Sequence, residues 1–402
     1  MTPLTAIADW VIAAGLAGKS EAALLDGFCQ RALDAGIPIA RAGAIIDTLH
    51  PVHEGHAFRW NRDAGDGVET VEYGPTNEGQ AAENWRASPF YHLLETGGSV
   101  LRRRLAAGAD PEFAAMAAFA AEGMSEYLAL INRFAGDGAI GGMDCVYSYW
   151  ITDRAGGFAE DQVAAVVGLM PALALAVKCA SLARIAATLV ETYLGRDPGR
   201  RVLAGRIGRG AAEPINAVLW FSDLRGFTRI TDTTPPRNII ALLNDYDEIV
   251  ISAIHDHGGD VVKLIGDGTL AIFPSDEPAD ACARAIAAEG ALRQRVAKLN
   301  HRRAEAGLPT TEIYLGLHIG EVFYGNIGSR ERLDFTVIGP AVNEASRIAG
   351  LCRSAERDVL LSAAFAAAIG DARAARLVSV GRYALRGVER PQELFTLDRT
   401  PD

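Results

Sequence analysis

Val262-Lys-Leu-Ile-Gly-Asp-Gly-Thr-Leu-Ala-Ile-Phe273 consists of two short apolar runs split by Gly266-Asp267-Gly268. Asp-Gly between apolar runs is a strong short-range hairpin signal, because the turn needs positive φ and glycine supplies it without strain. The spacing predicts strands over 261–265 and 269–273, with the Asp267 carboxylate at the tip between them. Upstream, 217–221 reads as an apolar strand. The stretch 238–255 reads as an amphipathic helix with Ile239, Leu242, Leu243, Tyr246, Ile249 and Val250 on one side. Downstream, strands are expected at 314–319, 333–338, 377–385 and 394–397, and helices at 279–299 and 341–351. Residues 213–402 are therefore expected to form an α+β domain, helices packed on a largely antiparallel sheet.

Asp223 closes the first of these strands, in Phe221-Ser-Asp-Leu-Arg-Gly-Phe-Thr228. Asp223 and Asp267 each push a carboxylate out at the end of a sheet, where a hard cation such as Mg²⁺ can bridge them. Two ordinary turn aspartates would give the same pattern.

The flanking residues narrow the choice. Phe221 to Thr228 together with Val262 to Phe273 closely resembles the two metal-binding motifs of class III nucleotidyl cyclases. The resemblance continues through His318-Ile-Gly-Glu-Val-Phe-Tyr-Gly-Asn-Ile-Gly328, through Asp334-Phe-Thr-Val-Ile-Gly-Pro-Ala-Val-Asn-Glu-Ala-Ser-Arg347, and ends in Leu385-Arg-Gly387. It implies a ferredoxin-like catalytic domain and the conversion of ATP to 3′,5′-cyclic AMP and pyrophosphate. Asp223 and Asp267 would hold two divalent ions, Mg²⁺ or Mn²⁺, in the usual two-metal division of labour. Backbone amides around Leu224, Gly226, Phe227 and Thr228 would meet phosphate oxygens. Asn343 and Arg347, four apart on one helix face, would orient the ribose and stabilise charge at the reacting phosphorus.

The resemblance places base selection at Lys263 and Thr336. A lysine donor and a threonine acceptor suit N1 and N6 of adenine, whereas guanine presents the opposite polarity. Guanylate cyclases of the family usually carry Glu and Cys there. Arg386 stands where relatives often have a lysine reaching the terminal phosphates, and Pro340 stands where many carry an acidic residue. Pro340 is expected in the first turn of its helix, where proline is tolerated. In the family each site is shared between two subunits, and all six principal residues occur here, so a homodimer is implied. The readings set against this one are a guanylate cyclase and a catalytically silent nucleotide-binding module.

The front half differs in character. Residues 4–34 have helical spacing broken near Gly15 to Gly18. Strands are expected at 40–48, 55–61, 68–73, 127–134 and 144–152, helices near 89–95 and 112–122, and a long helix at 160–194. This order, and Trp150-Ile-Thr-Asp-Arg-Ala-Gly-Gly-Phe-Ala-Glu-Asp161 as its ending, resembles a GAF domain, with a PAS-like sensor as the alternative. The implied organisation is a GAF-like α/β regulatory domain over 1–158, a connecting helix and linker over 159–212, and the catalytic domain over 213–402. Its effector, a small molecule or something else, is not named by the sequence. Trp60, Trp85, Phe90, Tyr91 and Tyr147 either line a ligand pocket or fill the core. His50, His53 and His56 raise a metal or haem reading, against turn and surface histidines. The arginines of 195–212 are expected in solvent or against a partner subunit.

The 402 residues carry a formal net charge of −11, which argues against a general affinity for nucleic acid. The five cysteines, Cys29, Cys145, Cys179, Cys282 and Cys352, have no C-x-x-C spacing and read as reduced core residues. No basic leader precedes an apolar run at the N-terminus. The uncharged run 162–177 is shorter than the roughly 20 residues of a membrane span and contains Gly168 and Pro171. A buried or dimer-facing helix and a cytoplasmic protein are expected.

Overall fold

The structure is a computed structural model, and it describes residues 2–65, 67–105, 112–134, 140–274, 276–370, 376–385 and 391–398. Contacts divide the chain into two units, Met1–Leu189 and Val190–Asp402.

In the first unit Thr2 and Ser20 accept hydrogen bonds from the amides of Thr5 and Ala23, capping α1 (Pro3–Leu16) and α2 (Glu21–Asp34). Six strands follow: β1 (Arg41–Asp47), β2 (Gly55–Asn61), β3 (Val68–Tyr73), β4 (Val100–Arg104), β5 (Glu126–Arg133) and β6 (Cys145–Thr152). Helices α3 (Gly79–Arg86), α4 (Pro89–Glu95) and α5 (Ala114–Ala121) interrupt them, and α6 (Glu160–Leu194) leaves the unit. The sheet runs β3-β2-β1-β6-β5-β4 with every pairing antiparallel.

Strand alternation sorts the residues of this sheet into two cores. Leu128, Leu130, Val146 and Trp150 pack with α1, α2 and α6 on one face, while Tyr127, Ala129, Ile131, Tyr147 and Ile151 pack with α4 and α5 on the other. Among the described residues α6 is the one helix long and apolar enough to cross a membrane, and 39% of that apolar window is buried. Val166, Met170, Leu173 and Val177 lie in the core beside Phe28 and Trp150.

The second unit begins with α7 (Arg196–Leu203), β7 (Ala212–Leu224), α8 (Phe227–Thr233), α9 (Pro236–Asp256), β8 (Asp260–Ile265), β9 (Gly268–Pro274) and α10 (Pro278–Glu305). It continues through β10 (Ile313–Gly328), β11 (Leu333–Ile338), α11 (Pro340–Ala355), β12 (Val359–Ser362), α12 (Ala363–Ala368), β13 (Leu377–Tyr383) and β14 (Gln392–Leu397). The eight-stranded sheet runs β13-β14-β12-β10-β7-β9-β8, with β11 on β10. Its one parallel pairing is β10 with β12. Trp220, Phe273, Leu315 and Leu317 bury one face against Tyr246 and Val250 of α9 and Leu292 of α10. Leu219, Ile272, Tyr324 and Phe335 meet Ala341 and Ala345 of α11 on the other. Gly316 makes that second layer fit: a Cβ there would sit 2.5 Å from the Ala349 nitrogen and 2.6 Å from the Ala345 oxygen.

Two features depart from the sequence expectation. The glycine- and arginine-rich segment after residue 194 was expected to break into a linker, but Arg196–Leu203 is helical. Pro198 falls in its first turn, where a missing N–H costs nothing. Its arginines were expected in solvent or on a partner, yet Arg201 pairs with Asp197 at 2.7 Å and also with Glu213 of its own chain.

Candidate active site

Asp223 is the penultimate residue of β7, and the pairing of Ser222 with Thr269 sets the end of that strand beside the turn that carries Asp267. The two carboxyl groups lie close enough to act on each other's ionisation. Partial loss of hydration, reinforced by the neighbouring Asp267 carboxylate, pushes Asp223 up to about 7. Asp247 on α9 is also raised, by burial first and by the Asp267 charge second. Sequence reasoning passed over Asp247, which reads as one more polar position on an amphipathic helix.

Such a pair fits a divalent cation. Two mutually repelling carboxylates offer hard oxygen ligands, and a magnesium site built on one or two carboxylates leaves its other positions for phosphate and water. Among the described residues no group of three or more His, Cys, Asp or Glu forms a closed metal cage. Gly226, at φ +71, supplies the left-handed turn that carries the chain from β7 into α8. A cleft of about 1030 Å³ is lined by Gly226 and Thr228 with Arg225, Arg229, Arg353 and Arg357. It is lined by none of Asp223, Asp267, Lys263, Thr336, Asn343 or Arg347.

Lys263 lies on β8 next to a register shift, with its ammonium against the carboxylate of Asp334 on β11. Asp334 and Thr336 alternate onto one face of β11, opposite the buried Phe335 and Val337. The strand reading placed Lys263 and Thr336 but not the pairing with Asp334, since the ladder that joins β11 to β10 is long-range.

Asn343 and Arg347 ride on α11, which starts at Pro340 as expected. Asn343 is exposed and Arg347 half-buried, and neither has a hydrogen-bond or ion-pair partner among the described residues. Along β10, Asp223 lies opposite Tyr314 and Thr336 opposite Gly325, so the carboxylate pair and Thr336 occupy opposite ends of that ladder. Arg386 lies outside the described residues. His318, inside a quoted motif, is structural: its Nδ1 meets Ser362 Oγ at 2.9 Å, and burial lowers its pKa.

In the first unit His50 is a turn cap, its Nδ1 accepting from the amides of Val52 at 3.1 Å and His53 at 3.2 Å. His53 and His56 both meet the carboxylate of Glu72, at 3.0 and 3.7 Å, and among the described residues no group of three or more His, Cys, Asp or Glu could hold a metal ion.

A sheet that carries two touching carboxylates at one end and a Lys/Thr pair with a helix-borne Asn/Arg pair elsewhere defines a class. Residues 211–399 match the family model of the adenylate and guanylate cyclase catalytic domain. Over those residues the C-terminal unit thus has the fold of that catalytic domain, of mixed α/β content.

The chain is 35% identical over 214 residues to the uncharacterized Mycobacterium tuberculosis protein Rv1318c, covering 51% of this chain and 37% of that one. It is 35% identical over 153 residues to an adenylate cyclase of Anabaena cylindrica, covering 38% of this chain and 30% of that one. It therefore spans about a third of the length of these curated relatives. Among solved structures it is similar to the adenylyl cyclase CyaB from P. aeruginosa, at 25% identity and TM-score 0.44, covering 48% of this chain and 97% of that one. It is also similar to the guanylyl cyclase Cya2, at 28% identity and TM-score 0.41, covering 46% of this chain and 92% of that one.

Proposed function

We propose that this chain is an adenylate cyclase, converting ATP to 3′,5′-cyclic AMP and pyrophosphate at sites shared between two copies of itself. The observation that carries the base assignment is Lys263 held by Asp334 beside Thr336 on one face. An ammonium has three donors, so one given to Asp334 leaves two for an acceptor such as adenine N1. Thr336 can accept from the N6 amino group. Guanine would set a donor against the lysine and an acceptor where the amino group should be, leaving desolvated groups unpaired.

Asp223 and Asp267 hold the divalent ions, which when bound lower the pKa of the ribose 3′-hydroxyl and neutralise the triphosphate. The turn through Leu224, Gly226, Phe227 and Thr228 brings backbone amides near the phosphates. From the partner copy, Asn343 fixes the ribose so that its 3′-oxygen faces the α-phosphorus. Arg347 stays ionised and offers a planar fork to the charge that develops there. Arg386 takes the terminal phosphates.

A second copy is favoured by exposed apolar side chains around these elements. Leu264 and Ile265 beside the Asp267 turn are 49% and 47% exposed, and the cross-strand pair Phe323 and Ile338 is 52% and 45% exposed. Patches of this kind mark contact surfaces. The N-terminal unit is read as a GAF-like regulator that binds an effector and acts through α6, in the cytoplasm where ATP is supplied.

The test is to incubate the purified protein with ATP or GTP and Mg²⁺ or Mn²⁺, and to quantify both cyclic products beside Lys263→Glu. Cyclic AMP from ATP, lost in the variant, is expected. Dominant cyclic GMP would replace the base assignment, and nucleotide binding with no product from either metal would make the chain a signalling module.

A further inference from the structure

The first unit holds a cavity of about 1170 Å³ on the α3–α5 side of its sheet, above the range of about 300–1,000 Å³ typical of small-molecule sites. Of the aromatic residues singled out in the sequence, Trp60, Trp85, Phe90 and Tyr147 line this cavity and Tyr91 does not. Trp85, Phe90 and Tyr147 line the cavity and meet at steep angles, Trp85 to Tyr147 at 5.5 Å and 76°, Phe90 to Tyr147 at 5.3 Å and 53°. Tilted rings of this kind present π faces to whatever enters.

The polar lining is acidic. Four carboxylates, Asp47, Glu54, Glu69 and Glu122, line the cavity against two guanidiniums, Arg41 and Arg59. Both guanidiniums are already taken, Arg41 by Asp63 at 3.3 Å and Glu122 at 3.7 Å, Arg59 by Glu69 at 3.7 Å. Glu54 accepts from the Thr76 amide and hydroxyl. Asp47 has no ion-pair partner among the described residues and accepts one hydrogen bond, from Tyr73 Oη at 2.6 Å. Its surroundings raise it to about 6: burial first, with Glu54 and Asp144 adding to it and the Tyr73 hydrogen bond opposing. Cys145 and Tyr147 face it from β6. No histidine is among the residues lining the cavity.

The sheet is built to keep Tyr73 over this spot. Gly55 is the cross-strand partner of Tyr73, and a Cβ on it would lie 2.1 Å from the tyrosine oxygen. The bare glycine lets the phenol lie flat across β2 and reach Asp47.

We propose that this cavity binds a small organic cation, an ammonium or related protonated nitrogen on a flat apolar body. The charge is held by Asp47 and the body by Trp85, Phe90 and Tyr147. Aromatic faces and a carboxylate without a protein cation are the two components of such recognition. A phosphate-bearing or carboxylate ligand would meet a net negative lining. This deepens the reading of the N-terminal unit as an effector-binding regulator and rests on that reading only for its consequence. Binding is therefore measured apart from cyclase activity.

The experiment is calorimetric titration of the full chain with three probes of one shape: naphthalen-2-ylmethylamine, naphthalen-2-ylmethanol and 2-naphthoate. At about pH 7.5 the amine should bind at least about tenfold tighter than either other probe, and this margin should fall by about tenfold near pH 5 as Asp47 protonates. Asp47→Asn, checked for an intact melting transition, should abolish the margin at both pH values. The pH series on the unaltered protein tests the same point without a variant. Failure of the amine to bind, equal binding of the alcohol or carboxylate, or an amine preference that survives Asp47→Asn would each overturn the proposal. None of those results would bear on the cyclase reading.

Discussion

Asp223 and Asp267 touch one another, and their proximity works against the fold in the absence of a cation. The same proximity suits a divalent cation, so on the proposed function activity and stability should separate on substitution. Asp223→Asn and Asp267→Asn should each lower cyclic AMP formation by about 10³-fold or more, while the melting temperature above neutral pH holds or rises. Parallel activity and calorimetric assays check this. Asp334→Ala should free Lys263 from its tether and raise KM for ATP about tenfold with little change in kcat, read from steady-state kinetics. Asp47 gives a pH signature. Its folded pKa, about 6, lies above the ordinary 3.8, so its contribution to stability is fully present below about 3.8 and is lost as pH rises through 6. Asp47→Asn should therefore raise the stability of the first unit at neutral pH relative to the unaltered chain, by no more than about 3 kcal/mol, and flatten its dependence between pH 4 and 6. Melting curves across that range decide it.

At the scale of elements, β4 shows where sequence reading stopped. Val-Leu-Arg-Arg-Arg has no apolar alternation, so 100–104 gives no strand signal. Its arginines are used instead on the fully buried Glu126, which takes Arg102 Nε at 2.6 Å and Arg104 Nε at 3.1 Å. Glu126 also accepts from the Phe158 amide at 2.6 Å, fixing the turn just before α6. Replacing Glu126 by Gln removes the buried charge that Arg102, Arg104 and the Phe158 amide share and should cost roughly 3 kcal/mol, measured by denaturant unfolding.

Elsewhere the reading depended on how local the signal was. The hairpin of β8 and β9 and the helices α9 and α10 were legible because turn chemistry and 3.6-residue periodicity act over short spans. β7 and β10 came out far too short. In β10, Gly316, Gly320 and Gly325 look like strand breakers, yet Gly316 is where α11 needs its close approach. α12, nearly all alanine, and the four-residue β12 carry no periodicity to read. The candidate site residues fall inside motifs that the sequence itself displays. The ion pair between Lys263 and Asp334 depends on tertiary pairing and was not.

At the scale of the molecule, the described chain carries Asp223 and Thr336 at opposite ends of the β10 ladder, with exposed apolar residues beside them. Two copies related by a two-fold axis would each lend the other what its own site lacks. The account therefore stands on an experiment in mixing. Asp223→Asn and Arg347→Ala should each be silent alone. Combined in equal amounts under conditions that exchange subunits, they should recover roughly a quarter of the unaltered protein's cyclic AMP output, since half the dimers are mixed and each holds one intact site. A mixture as silent as its two parents, beside an unaltered protein that turns ATP over, would contradict the shared site.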